Sequence, residues 1–400
     1  MNANTLRVGI DVGSKRHRVA VGLPSGEVVD EFDLDHHQIG FTQFFRRIGA
    51  LEVKHQLTVT VAMEGYNGWA RPLNGQIRRH GWALYNVNNL KLAPRFKEIF
   101  PAPAKTDAID ARRILDLFQL SAHMPVAREA LQEVTPTPAI NDKLKRLTRR
   151  RKQLVEERVR LTNRFQADLQ AVCPELLSIT GNVVNVWFLN FLTCRDELPK
   201  LLRLQEKSLL ALPAVGRKYA AAIQAWQRTA VFAPDIDIVG DMILQDARRL
   251  QALRVDIKSL DRSIKAAALD SALAQTLLSI PGFGDTTAAE LAGEIGTVAR
   301  FESEAGLALY TGMAALDNSS GKKTGSRTAR QVNTRAKAAM MIAMARHIPL
   351  VGASRSYYDK KRTEGKKHNQ AVRALGRHMI RVIWSLVKNN RTYEDRSKNT

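Results

Sequence analysis

Hydrophobic and polar positions change rhythm twice along this chain. Residues 6–13 (Leu-Arg-Val-Gly-Ile-Asp-Val-Gly) alternate and are β-branched, the period-two signature of a strand. Residues 18–23 and 27–33 repeat it, with Pro24-Ser25-Gly26 between them as a hairpin turn. A helical pattern is predicted over 39–50 and a strand over 57–63 that runs into Glu64 and Gly65. A helix over 69–80, a strand over 82–87 and helices over 90–96 and 107–120 complete the segment. Three meandering strands followed by crossover units predict a mixed α/β sheet flanked by helices. In such a sheet the first and fourth strands lie side by side.

Residues 125–138, with prolines at 125, 136 and 138, read as a linker, after which the period lengthens. Leu147, Leu154 and Leu161 recur every seven residues, with Leu144, Arg151, Arg158 and Phe165 on the companion register. A second seam is more apolar. Ile243, Leu250, Ile257 and Ile264 alternate with Leu253, Leu260 and Ala267, and Asp246 is its only polar member. Two long coiled-coil helices are expected, pairing within one chain or between subunits. Residues 209–218 (Leu-Leu-Ala-Leu-Pro-Ala-Val-Gly-Arg-Lys) and 277–285 (Leu-Leu-Ser-Ile-Pro-Gly-Phe-Gly-Asp) share an apolar-Pro-small-apolar-Gly string, the turn of a helix-hairpin-helix-like element or a plain helix–helix turn. Helices are predicted over 288–295, 304–310, 335–348 and 368–388, before a polar tail. The expected fold is therefore α/β followed by a mostly helical C-terminal part.

Charge narrows the partners. Lys and Arg number 61 against 39 Asp and Glu, a formal charge of +22. Such a surface points to nucleic acid. Residues 143–164 hold ten Lys and Arg against Glu156 and Glu157, and Arg149-Arg150-Arg151-Lys152 is the densest run, expected to contact a nucleic-acid backbone. A membrane partner is not expected, because no apolar run approaches the ~18 residues of a spanning helix. The N-terminal residues lack a signal-peptide layout. Cys173 and Cys194 form neither a metal-ligand pattern nor a disulfide framework, which fits a reducing cytoplasm.

The candidate chemistry is acidic. In Lys105-Thr106-Asp107-Ala108-Ile109-Asp110 the two aspartates stand at i and i+3, on one side of a helix. They are either a solvated pair favoured by the helix dipole or ligands of a hard cation such as Mg²⁺. Asp11 interrupts the first strand and Glu64 ends the fourth, so four carboxylates from three elements would suit a two-metal site for phosphoryl transfer. Near the other end, residues 311–325 read as a small, polar, basic loop holding Ser319, Ser320, Lys322 and Lys323. On its own, a serine beside a glycine there is an ordinary turn.

Three motifs carry a resemblance. Gly-Ile-Asp-Val-Gly-Ser-Lys, Ala-Met-Glu-Gly-Tyr and Lys-Thr-Asp-Ala-Ile-Asp-Ala, in this order, resemble the Asp-Glu-Asp-Asp (DEDD) motifs of a family of insertion-sequence transposases. The N-terminal domain of that family is similar to the resolvase RuvC, with a ribonuclease-H fold. The resemblance implies that Asp11, Glu64, Asp107 and Asp110 bind Mg²⁺. It implies that Ser320, with Ser319 as the alternative, is the nucleophile of strand exchange, with Lys322, Lys323, Arg327 and Arg330 supporting the phosphate. It also implies a non-coding bridge RNA that pairs with donor and target DNA, and a homo-oligomer, a dimer and then a tetramer in the synaptic complex. The domains expected are 1–125 (RuvC-like DEDD), 126–270 (linker and coiled coil), 271–390 (C-terminal transposase domain with the serine) and 391–400 (tail). Two departures stand out: Ala315 replaces the usual proline, and Ala329-Arg330-Gln331-Val332-Asn333 lacks the usual glycine. The alternative is a metal-only RuvC-like nuclease or resolvase without a covalent step. A non-enzymatic scaffold leaves the four acids without a purpose. An actin-like kinase would need a second phosphate loop, which the sequence lacks.

Overall fold

The computed structural model describes residues 4–65, 68–87, 106–124, 130–317, 325–329 and 332–394. The helix expected over 90–96 lies outside these residues, as do Ser319, Ser320, Lys322, Lys323 and Arg330. The chain forms two compact units. One comprises residues 1–136, 299–303 and 329–331, and the other comprises 137–298, 304–328 and 332–400.

The first unit is built on a six-stranded sheet of order β3-β2-β1-β4-β5-β6. Its strands are β1 (Thr5–Asp11), β2 (Arg16–Gly22), β3 (Val28–Asp35), β4 (Thr58–Met63), β5 (Ala83–Val87) and β6 (Leu131–Glu133). β1 is antiparallel to β2 and parallel to β4, so the first and fourth strands are neighbours as expected. Gly26, at φ +98°, closes the β2–β3 turn, where Leu23 N–H donates to the Glu27 carbonyl at 2.9 Å. Alternation divides the sheet into two faces. Leu6, Val8 and Ile10 of β1 and Val59, Val61 and Met63 of β4 pack with α1 (Gln38–His55) and α2 (Arg71–Arg79). Ala20, Ala62, Tyr85 and Val87 face α3 (Asp107–His123) instead, with Ile114, Leu117 and Phe118 seated on them. Burying each large side chain of this kind stabilises the unit by about 1.5–3 kcal/mol. The segment read as a pure linker contains β6, whose residues pair with β5 from Val87↔Leu131 to Tyr85↔Glu133. A strand of three residues is too short to show a period.

The second unit is helical. Its long elements, α4 (Ala139–Val172) and α9 (Ile236–Leu269), have 34 residues each and pack along one another inside the chain. Between them lie α5 (Glu175–Ser178), α6 (Val186–Leu192), α7 (Glu206–Leu210) and α8 (Arg217–Thr229). Leu154, Leu161 and Phe165 of α4 and Ile243, Leu250, Leu253 and Ile257 of α9 share one core with Trp187, Phe188 and Phe191 of α6. After α9 come α10 (Ala272–Leu278), α11 (Asp285–Ile295), α12 (Glu304–Tyr310), a β7 (Ala315–Asp317) and β8 (Ser326–Thr328) hairpin, α13 (Thr334–His347), α14 (Gly352–Thr363) and α15 (His368–Lys388). The two proline strings make turns of matching form. Val215 N–H donates to the Leu212 carbonyl and Phe283 N–H to the Ile280 carbonyl, each at 3.1 Å. Ala214 and Gly282 hold the equivalent left-handed position, at φ +66° and +90°. Among the described residues no helix is long and apolar enough to cross a membrane.

Candidate active site

Two strand ends and one helix start of the first unit bring the four acids to the same end of the sheet. Ile10 and Met63 are the last registered pair of the parallel β1–β4 ladder, and Asp11 and Glu64 are the next residue on each strand. Asp11 lies in phase with Gly9 and Arg7, on the face opposite Leu6, Val8 and Ile10, and therefore on the side of α3. α3 starts here. Thr106 caps it, its hydroxyl accepting from Ile109 N–H at 3.4 Å, and Asp107 and Asp110 occupy the first turn, where the helix dipole also favours them.

Gly9 fixes how closely that turn approaches the sheet. A Cβ there would stand 2.6 Å from the Ala111 carbonyl oxygen and 3.1 Å from the Ile114 Cβ. Gly9 pairs with Ala20 on β2 and Ala62 on β4, so a row of small residues crosses three strands beneath α3. The sequence carried a signal for this in the small residues Gly9, Ala20 and Ala62 set among bulky neighbours on three strands. Its meaning depended on the register.

Charged partners border the carboxylates. Arg18 is the cross-strand partner of Asp11 and pairs with Glu31 at 3.3 Å and Asp33 at 3.1 Å. Arg112, two residues beyond Asp110, reaches the same Glu31 with both nitrogens and ties α3 to β3. The Arg112 hydrogen bonds hold the Glu31 carboxyl below the usual glutamate range, against the effect of its burial. Arg113 pairs with Asp110 at 3.2 Å. Arg16, Arg18 and Arg112 were not singled out from the sequence, because their role depends on which strands are neighbours.

Residues 8–174 match the DEDD transposase domain of IS110-type elements, and residues 274–359 match the transposase family IS116/IS110/IS902. The chain is 27% identical to a 43.6 kDa insertion-element IS110 protein of Streptomyces coelicolor, across 97% of this chain and 95% of that one. It is 28% identical to an insertion-element IS116 protein of Streptomyces clavuligerus, across 96% and 95% of the two chains. It is 30% identical to an insertion-element IS900 protein of Mycobacterium paratuberculosis, across 72% and 73%. The chain belongs to the IS110/IS116 family of insertion-element transposases.

A DEDD domain implies a divalent metal. The four acids of the motifs offer only carboxylate oxygens, which suit a hard cation. Among the described residues, no three His, Cys, Asp or Glu side chains are gathered into a ready-made metal-binding group. The backbone places the four acids at the same strand ends without closing them into a cluster.

The basic run of α4 divides into two kinds of residue. Arg149 is bonded to Glu294 of α11, Nε at 2.6 Å and Nη2 at 2.8 Å. Arg151 pairs with Asp261 of α9 at 2.5 Å. Both were expected to face nucleic acid, and both are engaged inside the unit. Arg150 is exposed and Lys152 is half-buried. Arg164 likewise meets Asp246, the polar member of the α9 seam, through two nitrogens. The segment read as a loop around Ser320 is bracketed by β7 and β8, paired from Ala315↔Thr328 to Asp317↔Ser326. Arg327 belongs to β8, opposite Leu316, rather than to the loop.

Proposed function

We propose that this transposase cuts and rejoins DNA through two sets of groups. Asp11, Glu64, Asp107 and Asp110 would hold Mg²⁺, and Ser320 would act as the nucleophile. The observation that carries the first half is the approach of Ala111 to Gly9, which sets the first turn of α3 beside the ends of β1 and β4. Mg²⁺ bound there supplies Lewis-acid polarisation of the scissile phosphate. Ser320 Oγ forms a new bond to phosphorus while the ester bond to the departing DNA oxygen breaks, and the serine proton ends on that oxygen. The phosphoserine conserves the phosphodiester energy. Attack by the hydroxyl of the incoming strand reverses the step and frees the serine. The β7–β8 ladder supports this half, because it holds on adjacent strands the two ends of the segment whose sequence carries Ser320, Lys322 and Lys323.

Sequence choice is assigned to an element-encoded bridge RNA paired with donor and target DNA. The excess of 61 basic over 39 acidic residues supports simultaneous binding of several phosphate backbones. The functional division into a DEDD domain (1–125), a coiled-coil region (126–270) and a serine domain (271–390) goes with this reading. So does a homo-oligomer in which one subunit lends its serine to another's carboxylates.

The test is covalent trapping. The protein is incubated with Mg²⁺, element-end DNA and the RNA transcribed beside its gene, then run on a denaturing gel against Ser320→Ala and Asp11→Ala. A protein–DNA adduct lost in both variants, with RNA binding retained in Asp11→Ala, supports the reading. Cleavage without an adduct and insensitive to Ser320 overturns the serine half in favour of a metal-only nuclease.

A further inference from the structure

The chain from Tyr310 to Asn333 leaves α12, forms the β7–β8 hairpin and returns to α13. Its two ends are tied together and to one buried carboxylate. Asn333 N–H donates to the Tyr310 carbonyl at 2.8 Å. Asn333 Nδ2 donates to Glu294 Oε2 at 2.8 Å and to the Tyr310 hydroxyl at 2.6 Å. That hydroxyl donates to the Glu294 backbone carbonyl at 2.7 Å. The other face of Asn333 caps α13, Oδ1 accepting from Arg335 and Ala336 N–H at 3.0 Å each. The Glu294 side chain is 0% exposed, and its charge is met by both nitrogens of Arg149. Burial works against that carboxylate, but the bonds from Arg149 and Asn333 outweigh it and keep its pKa below the ordinary glutamate value.

Position 293 is built for this approach. A Cβ on Gly293 would lie 2.5 Å from Lys145 N and 2.7 Å from Lys145 Cα, so α11 crosses α4 in backbone contact. Glu294 follows directly, and Arg149 stands one turn beyond Lys145. A fully buried charge in a plain helix crossing costs stability compared with an apolar residue. Here one of its ligands is Asn333, where the chain returns from the hairpin, and Tyr310, where it departs, is bonded to the Glu294 backbone carbonyl.

We infer that Glu294 and Asn333 are positioning residues for strand exchange. Together with Tyr310 they form a clamp at the base of the β7–β8 hairpin, and Arg149 neutralises it from the basic helix α4. The inference rests on the reading that Ser320 in that hairpin is the nucleophile. The clamp fixes where the turn is presented, and it joins that position to the helix crossing set by Gly293.

The discriminating variant is Asn333→Asp in the full-length protein. Aspartate keeps the α13 cap but loses both Nδ2 donations and sets a like charge against Glu294. Single-turnover adduct formation with Mg²⁺, element-end DNA and the adjacent RNA should slow by about tenfold or more, the scale of displacing a reacting group by a fraction of an ångström. Amide exchange of residues 315–317 and 326–328 should speed up by about tenfold, equivalent to losing one buried hydrogen bond. RNA affinity should stay within about twofold, because no phosphate-facing charge is removed. Tyr310→Phe removes one oxygen and provides the milder variant should Asn333→Asp fold poorly.

Unchanged exchange and adduct rates in Asn333→Asp, or in Tyr310→Phe where the former misfolds, would overturn the clamp. Slowing of the adduct step with an equal loss of RNA affinity would do the same, since a merely structural loss moves both. If Ser320→Ala recombines normally while hairpin exchange responds as expected, the serine reading fails and the clamp stands. If Ser320→Ala abolishes the adduct while neither readout responds at 333, the clamp fails and the serine reading stands.

Discussion

Ala111 presents its carbonyl oxygen to the bare Cα of Gly9, and a methyl group there would lie 2.6 Å from that oxygen. The neighbour is backbone, so a substitution cannot be absorbed by a rotamer change. Gly9→Ala should lift the first turn of α3 from the sheet and carry Asp107 and Asp110 away from Asp11. The expected loss of stability is about 1–3 kcal/mol, the usual cost of overpacking. On the proposed mechanism DNA cleavage should fall by more than about tenfold, because Asp107 and Asp110 start farther from the ends of β1 and β4. Denaturant unfolding and a cleavage assay on the same preparation test it, and wild-type cleavage by Gly9→Ala would remove α3 from the site.

His17 is 1% exposed on β2, and its Nε2 lies 2.7 Å from His36 Nδ1. Burial, with His36 beside it, pushes its pKa down to about 4. Between pH 4 and about 6.5 the unfolded chain binds a proton at this imidazole and the folded chain does not, so stability rises with pH across that window and is lost on acidification. A shift of this size corresponds to roughly 3 kcal/mol. His17→Gln should flatten the stability profile between pH 6.5 and 4. An unchanged acid limb in that variant would place the sensitivity elsewhere.

How far the sequence spoke depended on whether each feature was local. β1 to β5 were legible because alternation and β-branching act within one strand, and the heptads of α9 were legible because a buried seam repeats. β6, β7 and β8 have three residues each and fall below any periodic window. The helix α14 was missed because it has no buried residue to mark a face. The acids of the DEDD motifs could be named from the chain, but Gly9, Arg18 and Arg112 matter only once β1 is known to lie between β2 and β4. The run from Arg149 to Lys152 read as a uniform basic patch. Its division into structural and free charges is set by Asp261 and Glu294, more than a hundred residues away.

Arg164 and Asp246 illustrate that division within the long-helix pair. The Asp246 side chain is 9% exposed and Arg164 is its bidentate partner. Removing the arginine takes the bidentate partner from a largely buried carboxylate, so Arg164→Ala should destabilise the protein, by less than for a wholly buried pair because the guanidinium is solvated. Replacing Asp246 with Leu in the same background should recover most of that loss, since the seam is otherwise apolar. A double-mutant cycle by urea unfolding measures it, and simple additivity would mean that the pair contributes nothing.

Arg149 and Arg150 are adjacent in sequence but should respond oppositely to truncation. Arg150 is exposed, whereas Arg149 holds the buried Glu294. Arg150→Ala should leave stability within about 0.5 kcal/mol of wild type. It should also reduce the slope of log K against log salt for nucleic-acid binding by about 0.7–0.9, the signature of one lost phosphate contact. Arg149→Ala should cost about 1–3 kcal/mol, because the buried Glu294 carboxylate loses its guanidinium and keeps the Asn333 bond, with the half-exposed arginine discounting the full cost of a broken buried pair, and should leave the salt slope nearly unchanged. Salt titrations of binding beside denaturant curves separate the two. An equal salt response from both positions would mean that Arg149 leaves Glu294 for the phosphate backbone when nucleic acid binds.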